Sequence, residues 1–581
     1  MKRRAPTGLI WLVLVLGIAC GAPASGPSGG QAPAAEAPRP AAPSTKRVTV
    51  GILEEPKGWL AWTAGTTTAG GGHQPRWLLT RSLTIADDKG RIQPVLAASL
   101  PTLEQGDWVV NPDGTMEQTW KIRPNARWHD GQALTAEDFV LGWQIETHPD
   151  LPSGNSLSKA YISAATAPDP QTLILRFKGT SPLARIHLFD PAPRHILGDV
   201  LAAGDTDRFM SHEYWTNGYV GAGPFRLVTW QPGAFLELGA FADYVEGRPK
   251  LDTVIVRFLG DPNTLLANVL SGEVEIALPD GLSVETAAEL KRGWAAPGTG
   301  NNAVLFVDGR MYRMEFQYRP EYAKPAAARD SRVRKAFYHT IDKEGVNAVE
   351  VAGLGKLADS WIPPDDPRYP RFRGVIPPWS RDVPLAQRIL DDAGWRKGSD
   401  GVLMHSSTGE RMETEIRVTA GQGHVQAMAV MADGWRQVGA VVNEVAIPPA
   451  QVNNNEYRST FPFTGLTGHT ATLLWESSHF LCSRAARAET RWSGNRNGTC
   501  VLGADTLIER LDVTIDENQR TELQMDIMRL VLFEDFAQLP IWWQVTPIVF
   551  AKGITGPGEM TAGPYTEPRN PWNAHLWDRP Q

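Results

Sequence analysis

Apolar positions along the chain recur either at every second residue or at the three-to-four spacing of a helix face, and the two patterns interleave. Val48-Thr49-Val50-Gly51-Ile52-Leu53 predicts a first strand, and the β-branched runs Thr172 to Phe177 and Thr253 to Phe258 predict two more. Helical spacing predicts helices over Pro262 to Ser271, Arg332 to Ala352, Leu385 to Ala393, Val425 to Val438 and Gln519 to Phe533, most closing near Gly or Pro. Another helix is expected after Thr135, whose hydroxyl can meet the free amide of Asp138. Glu137 and Asp138 suit the positive end of its dipole, and Val140, Leu141 and Trp143 supply its apolar side. Strands interleaved with helices make the body mixed α/β.

The amino-terminal pattern is different. Leu9 to Ala19 is an unbroken apolar run behind Lys2, Arg3 and Arg4, too short to span a bilayer and patterned as a secretory signal over residues 1–19. It closes in Leu16-Gly17-Ile18-Ala19-Cys20, which resembles the bacterial lipobox apart from Gly17. That likeness implies cleavage before Cys20 and lipidation of its thiol, an acyl chain being a physical anchor. From Gly21 to Thr45 every residue except Gln31, Glu36, Arg39 and Thr45 is Ala, Pro, Gly or Ser. Such a stretch cannot bury enough apolar area to offset its ordering entropy, so residues 20–45 read as a tether. Gly26-Pro27-Ser28-Gly29-Gly30 matches the G-x-S-x-G of hydrolases, but no strand precedes it and no helix follows, so it carries no mechanism.

Composition narrows the function classes. The 581 residues are 42% hydrophobic and 21% charged, enough for a large core or several lobes, which excludes a disordered or fibrous chain. A formal charge of -7 gives no footprint for nucleic acid, which needs clustered Lys and Arg. With Cys20 set aside, Cys482 and Cys500 are an even pair in an oxidising compartment and read as a disulfide, two free thiols being the alternative.

Between Asp113 and Phe139 the residues carry a family likeness. Asp113-Gly114-Thr115, followed by Trp120-Lys121-Ile122-Arg123-Pro124-Asn125-Ala126-Arg127-Trp128-His129-Asp130-Gly131-Gln132-Ala133-Leu134-Thr135-Ala136-Glu137-Asp138-Phe139, resembles the signature of bacterial family 5 extracellular solute-binding proteins. These are the oligopeptide- and dipeptide-binding type that serves ABC importers. Gly221-Ala222-Gly223-Pro224-Phe225, Leu270-Ser271-Gly272-Glu273-Val274-Glu275-Ile276-Ala277, Val333-Arg334-Lys335-Ala336-Phe337 and Leu539-Pro540-Ile541-Trp542-Trp543 follow in the family's order, and the likeness spans about residues 48 to 556.

The resemblance implies a type II periplasmic-binding-protein architecture: two lobes, an extra subdomain in the first, and a hinged ligand cleft. Residues 46–299 and 529–581 would build lobe I and 300–528 lobe II, with chain crossings near Asn301 and Arg529. The implied partners are a peptide or other small polar solute, an ABC permease with its ATPase subunits, and a membrane reached through the lipid anchor. A monomer without cofactor, metal or nucleic acid is expected.

In peptide-binding members an Asp of the second lobe grips the ligand's α-amino group. The comparable stretch here, Thr467 to Leu481, has no Asp, so peptide, sugar, opine-like and other polar solutes all stay open. Within it Trp475 is expected to stack on ligand, and His469, Thr470 or Glu476 to hydrogen-bond to it. Trp62, His73 and Gln74, in a Gly- and Thr-rich stretch after the first strand, are the first-lobe candidates. Trp542 and Trp543 alternate on a strand, so one is expected in the core and Trp543 toward the cleft. The chain lacks H-E-x-x-H, C-x-x-C and a P-loop. A secreted glycoside-acting enzyme remains the enzymatic alternative, because two carboxylates in an aromatic cleft leave little sequence signature. A sensory or chaperone-like lipoprotein on the same fold is the third.

Overall fold

The computed structural model describes residues 45–59, 71–88, 90–151, 159, 161–185, 189–294, 302–364, 366–419, 424–470, 480–557 and 570–579. One sheet of eleven described strands organises the fold. Its order is Val441–Ile447, Glu413–Thr419, Thr464–Thr470, Asn302–Phe316, Gln538–Phe550, Ile276–Ala277, Arg47–Ile52, Thr253–Phe258, Phe235–Ala240 and Phe225–Gln231. Lys356–Leu357 is added beside Gln538–Phe550.

Two long antiparallel strands carry the chain through the middle of this sheet. Asn302 to Val307 pairs with Phe550 to Val545, beside Ile276–Ala277 and the other strands of the first half. After an unmatched stretch between Val307 and Met311, the same strand pairs with Trp543 and with Thr470 to Thr464 of the second half. Three residues, Asp308 to Arg310, therefore stand against Gln544 alone, which is a bulge that bends a ladder locally. Each half has its own core. Val48, Val50, Ile52, Leu236 and Val254 pack with Ile548 and Trp577 in the first. Phe316, Phe337, Trp435 and Phe463 pack in the second, where the Trp435 and Phe337 rings stack at 4.4 Å.

Between the strands Arg47–Ile52 and Phe225–Gln231 the chain inserts a separate four-stranded antiparallel sheet: Trp108–Val110, Met116–Lys121, Thr172–Phe177 and Ile162–Asp169. Its core buries Trp108, Trp120 and Trp128, the last donating its indole N–H to Asp138 Oδ2 at 3.2 Å. Asp138 Oδ2 also accepts the Thr135 amide at 2.8 Å, the reciprocal bond of a capping box, with Thr135 at the N-cap of the helix Ala136–Thr147 as the sequence predicts. His129 explains why the glycine segment follows in order. Its Nδ1 accepts the Gly221 amide at 3.1 Å, while Nε2 faces the Gly223 carbonyl at 3.0 Å and must donate. A Cβ on Gly221 would lie 2.0 Å from the Leu79 carbonyl oxygen, so only glycine admits this approach.

This arrangement needs a neutral imidazole, and burial pushes its pKa down from 6.5 to about 4. The unfolded chain then binds more protons between those values. Stability is fully present above about pH 6.5 and should fall by about 2–3 kcal/mol as pH drops toward 4. Denaturant titrations at pH 7.5, 6, 5 and 4.5 check this, with His129→Gln expected to flatten the slope.

The predicted helix Arg332 to Ala352 is two helices, Ser331–Tyr338 and Lys343–Val351. Asp342 breaks the run, because its carboxylate caps the Gly345 amide at 2.9 Å and starts a new N-terminus. Gln519 to Phe533 likewise divides into Glu517–Met528 and a wider turn, Arg529–Glu534. Cys482 and Cys500 are bonded across a separation of 18 residues. Cys482→Ser with Cys500→Ser should cost about 3 kcal/mol on the loop-entropy model. Urea unfolding of that variant beside the parent chain measures it.

Candidate functional site

In open α/β sheets ligands gather outside the carboxyl ends of parallel strands. The first half offers those ends at Ile52, Phe258 and Ala277, from three mutually parallel strands. The segment that leads into His73 and Gln74 passes there. Gly71 just before them packs so close that a Cβ would sit 3.1 Å from the Pro279 carbonyl and 3.4 Å from Ile52. Gln74 is buried and its side-chain nitrogen meets His73 Nε2 at 3.1 Å, so the two form one polar unit.

The second half offers the ends Thr419, Ile447 and Thr470, because Glu413–Thr419 runs parallel to both of its neighbours. His469 and Thr470 close the strand Thr464–Thr470, in register with Met311 and Arg310 beside the bulge. Trp62, Trp475, Glu476 and Cys20 lie outside the described residues.

Trp543 is not at a cleft surface. It has no exposure and lies in a core with Met311, Trp361 and Phe480, whereas Trp542 stacks on Tyr312 at 4.5 Å in the other core. The strand Gln538–Phe550 is covered on both faces, so alternation sends both indoles inward.

A set of charged residues that the motif reading passed over is the most concentrated chemistry at these strand ends. A small hollow of ≈ 30 Å³ is lined by Glu315, Arg417, Thr419, Arg458, Thr467 and Arg496. Glu315 Oε1 accepts Arg313 Nε at 2.9 Å and Gln538 Nε2 at 3.0 Å, and Arg313 has no exposure. Arg417 is bound to Glu415 at 2.7 Å and to the Tyr457 carbonyl at 2.8 Å. Arg458 sits on the short helix Asn455–Ser459, whose Asn454 cap accepts the Tyr457 amide. Burial, and then the nearby Arg496 cation, lower the Arg458 pKa to about 10. The sequence signal is opposite charges two apart inside apolar strands, Arg313 with Glu315 and Glu415 with Arg417, since such residues share one strand face. Among the described residues no group of three or more His, Cys, Asp or Glu is placed to hold a metal.

The family model for bacterial extracellular solute-binding proteins, family 5 Middle, matches residues 91–478. A putative ABC transporter peptide-binding protein of Brucella ovis is 25% identical over 332 residues, which are 55% of this chain and 56% of the relative. The chain thus spans little more than half the length of that curated relative. An oligopeptide-binding protein of Thermus thermophilus, solved with a pentapeptide, has the same fold at TM-score 0.69 and 21% identity, covering 91% of this chain and 96% of that one. The binding protein AgaA of A. tumefaciens R10, solved with agropinic acid, superposes at TM-score 0.64 and 20% identity over 92% and 99%. The architecture is therefore that of the two-lobed periplasmic binding proteins. With its model matched across most of the chain, this protein belongs to family 5 of the bacterial extracellular solute-binding proteins.

Proposed function

We propose that the protein is the extracytoplasmic solute-binding component of an ABC importer, taking a small polar solute between its lobes and delivering it to a permease. The observation that carries the reading is the pair of strands shared by both halves, with Asp308 to Arg310 unmatched against Gln544 at the change of partners. A bulge there, with a second register shift between Tyr312 and Arg313, lets one half turn against the other, as hinge closure requires. In this reading the first lobe ends near Val307 and resumes near Val545, and the second lies between. Residues 1–19 direct export, Cys20 carries lipid, and 20–45 tether the body at the membrane. Mass spectrometry of the membrane-extracted protein, with an acylated Cys20 as its first residue, tests that part.

The solute reading is tested by a thermal-shift screen of the purified protein, followed by calorimetry. Di- to pentapeptides, their amides, oligosaccharides, opines, succinate and succinamide form the panel. A solute that binds only the folded state, at 100 times its Kd, stabilises it by about 2.7 kcal/mol. Saturable one-to-one binding without turnover supports the importer role. Conversion of a bound sugar to product overturns it.

A further inference from the structure

We propose that the second half carries an accessory ligand site on its flank, away from the hinge, which takes an amphipathic monocarboxylate with its acid group on Lys343 and its apolar body along Ile376, Pro377 and Trp379. A cavity of ≈ 520 Å³ opens there, within the range of about 300–1,000 Å³ usual for small-molecule sites. It stands where the helix Ser331–Tyr338 ends, the helix Lys343–Val351 begins and the strand Lys356–Leu357 leaves the sheet. Leu357 pairs with Trp542, and the Ala358 amide donates to the Ile541 carbonyl at 3.0 Å. Both contacts lie on the edge of Gln538–Phe550 opposite Asn302–Phe316, and they lead down the strand away from Gln544 and the bulge. The strand ends Thr419, Ile447 and Thr470 lie across Asn302–Phe316, on the other side.

One cation in this cavity is incompletely answered. Lys343 Nζ donates to the Tyr338 hydroxyl and to the Ala358 carbonyl, each at 2.6 Å, and Tyr338 donates in turn to the Pro540 carbonyl at 3.0 Å. Both acceptors of the ammonium are neutral, and it has a third N–H to give. The neighbouring carboxylates are engaged elsewhere. Asp359 accepts the Tyr369 hydroxyl at 3.1 Å and faces Arg373 at 3.9 Å, Asp342 faces Arg381 at 3.8 Å, and Glu344 is exposed. Burial lowers the Lys343 pKa from 10.5 to about 7 even though Asp359 and Glu344 act to raise it, so the chain's own charges do not restore the ammonium. A ligand carboxylate beside it does. Arg373 and Arg381 line the cavity too, so its cations outnumber the carboxylates of Glu344 and Asp359. Buried Ile341 and Ile376, with Leu357, Pro377 and Trp379, form an apolar wall, which favours an acid with an aromatic or aliphatic body over a small inorganic anion. Trp379 rests on the Tyr338 ring at 4.6 Å and edge-on to Phe536 at 5.4 Å, so the wall is in place before a ligand arrives.

Calorimetry with indole-3-acetate, phenylacetate and octanoate, each against its amide, tests the site on the intact protein and on Lys343→Met. Circular dichroism verifies that the variant is folded. At least one acid is expected to bind one-to-one and its amide to bind about 10- to 100-fold more weakly, with Lys343→Met losing affinity by a similar factor. On the parent protein, buffers of different ionisation enthalpy should reveal proton uptake on binding at pH 7.5 that shrinks toward pH 6, where the free amine is already charged. An acid held equally well by parent and variant, or bound at pH 7.5 without proton uptake, overturns the site. Failure of all three acids to bind the parent does so as well, and each of these results leaves the importer reading standing.

Discussion

Glu315→Ala is expected to lower the unfolding free energy by about 3–5 kcal/mol, the usual cost of removing one partner from a buried ion pair. Arg313 has no exposure, and Glu315 is the carboxylate that receives its Nε at 2.9 Å. Without Glu315, the Arg313 cation stays buried near Arg496, whose own charge opposes it. The Gln538 side chain also loses its acceptor. Glu315→Gln keeps an oxygen for Gln538 and removes only the charge, so its loss should be smaller. Urea unfolding followed by far-UV circular dichroism separates the three chains. Equal stability of Glu315→Ala and the parent would show that this carboxylate is not what holds Arg313.

Trp435→Ala should cost a similar amount, about 3–5 kcal/mol, for a different reason. The indole has no exposure and contacts three other rings: Phe337 stacked at 4.4 Å, Phe463 edge-on at 5.6 Å and Phe316 at 6.3 Å. Those rings belong to a helix, to the end of the strand Asn302–Phe316 and to the bend just before the strand Thr464–Thr470, so the hole left by truncation cannot collapse by moving one element. Trp435→Phe retains most of the volume and should recover more than half of the loss. Because the two halves have separate cores, the change should appear in the unfolding of the second half. Hydrogen exchange in Glu413–Thr419 and Val441–Ile447 would accelerate while the strand Thr253–Phe258 kept its protection.

Periodicity located elements wherever one physical preference acted alone. Thr172–Phe177, Thr253–Phe258 and Pro262–Ser271 stand where the sequence puts them, each with a consistent face and a clear stop. It failed where a polar side chain overrode the pattern, as at Asp342, whose capping bond costs the continuous helix its middle. The inward turn of Trp543 was illegible for another reason: alternation tells that two indoles face opposite ways, but not that the strand is covered on both sides. The arginine cluster is a product of tertiary packing. Arg313 and Glu315 come from one strand, Arg417 from another, Arg458 from a short helix and Arg496 from a stapled loop, and no local pattern announces that they meet. The family motifs, by contrast, were readable because they are structural. His129 clasping Gly221 and Gly223, and Arg334 reaching the Asp535 and Phe536 carbonyls, join segments far apart in the chain.

The same return of the chain governs how the protein must be made. Val48 and Val50 share a core with Ile548 and Trp577, and Lys46 pairs with Asp578 at 2.7 Å across a separation of 532 residues. At roughly 5–20 residues per second of synthesis, the first strand waits about half a minute to two minutes for the segment that completes its core. The intervening chain meanwhile presents an unfinished sheet edge, so biogenesis of this protein depends on keeping that edge covered until the last residues emerge.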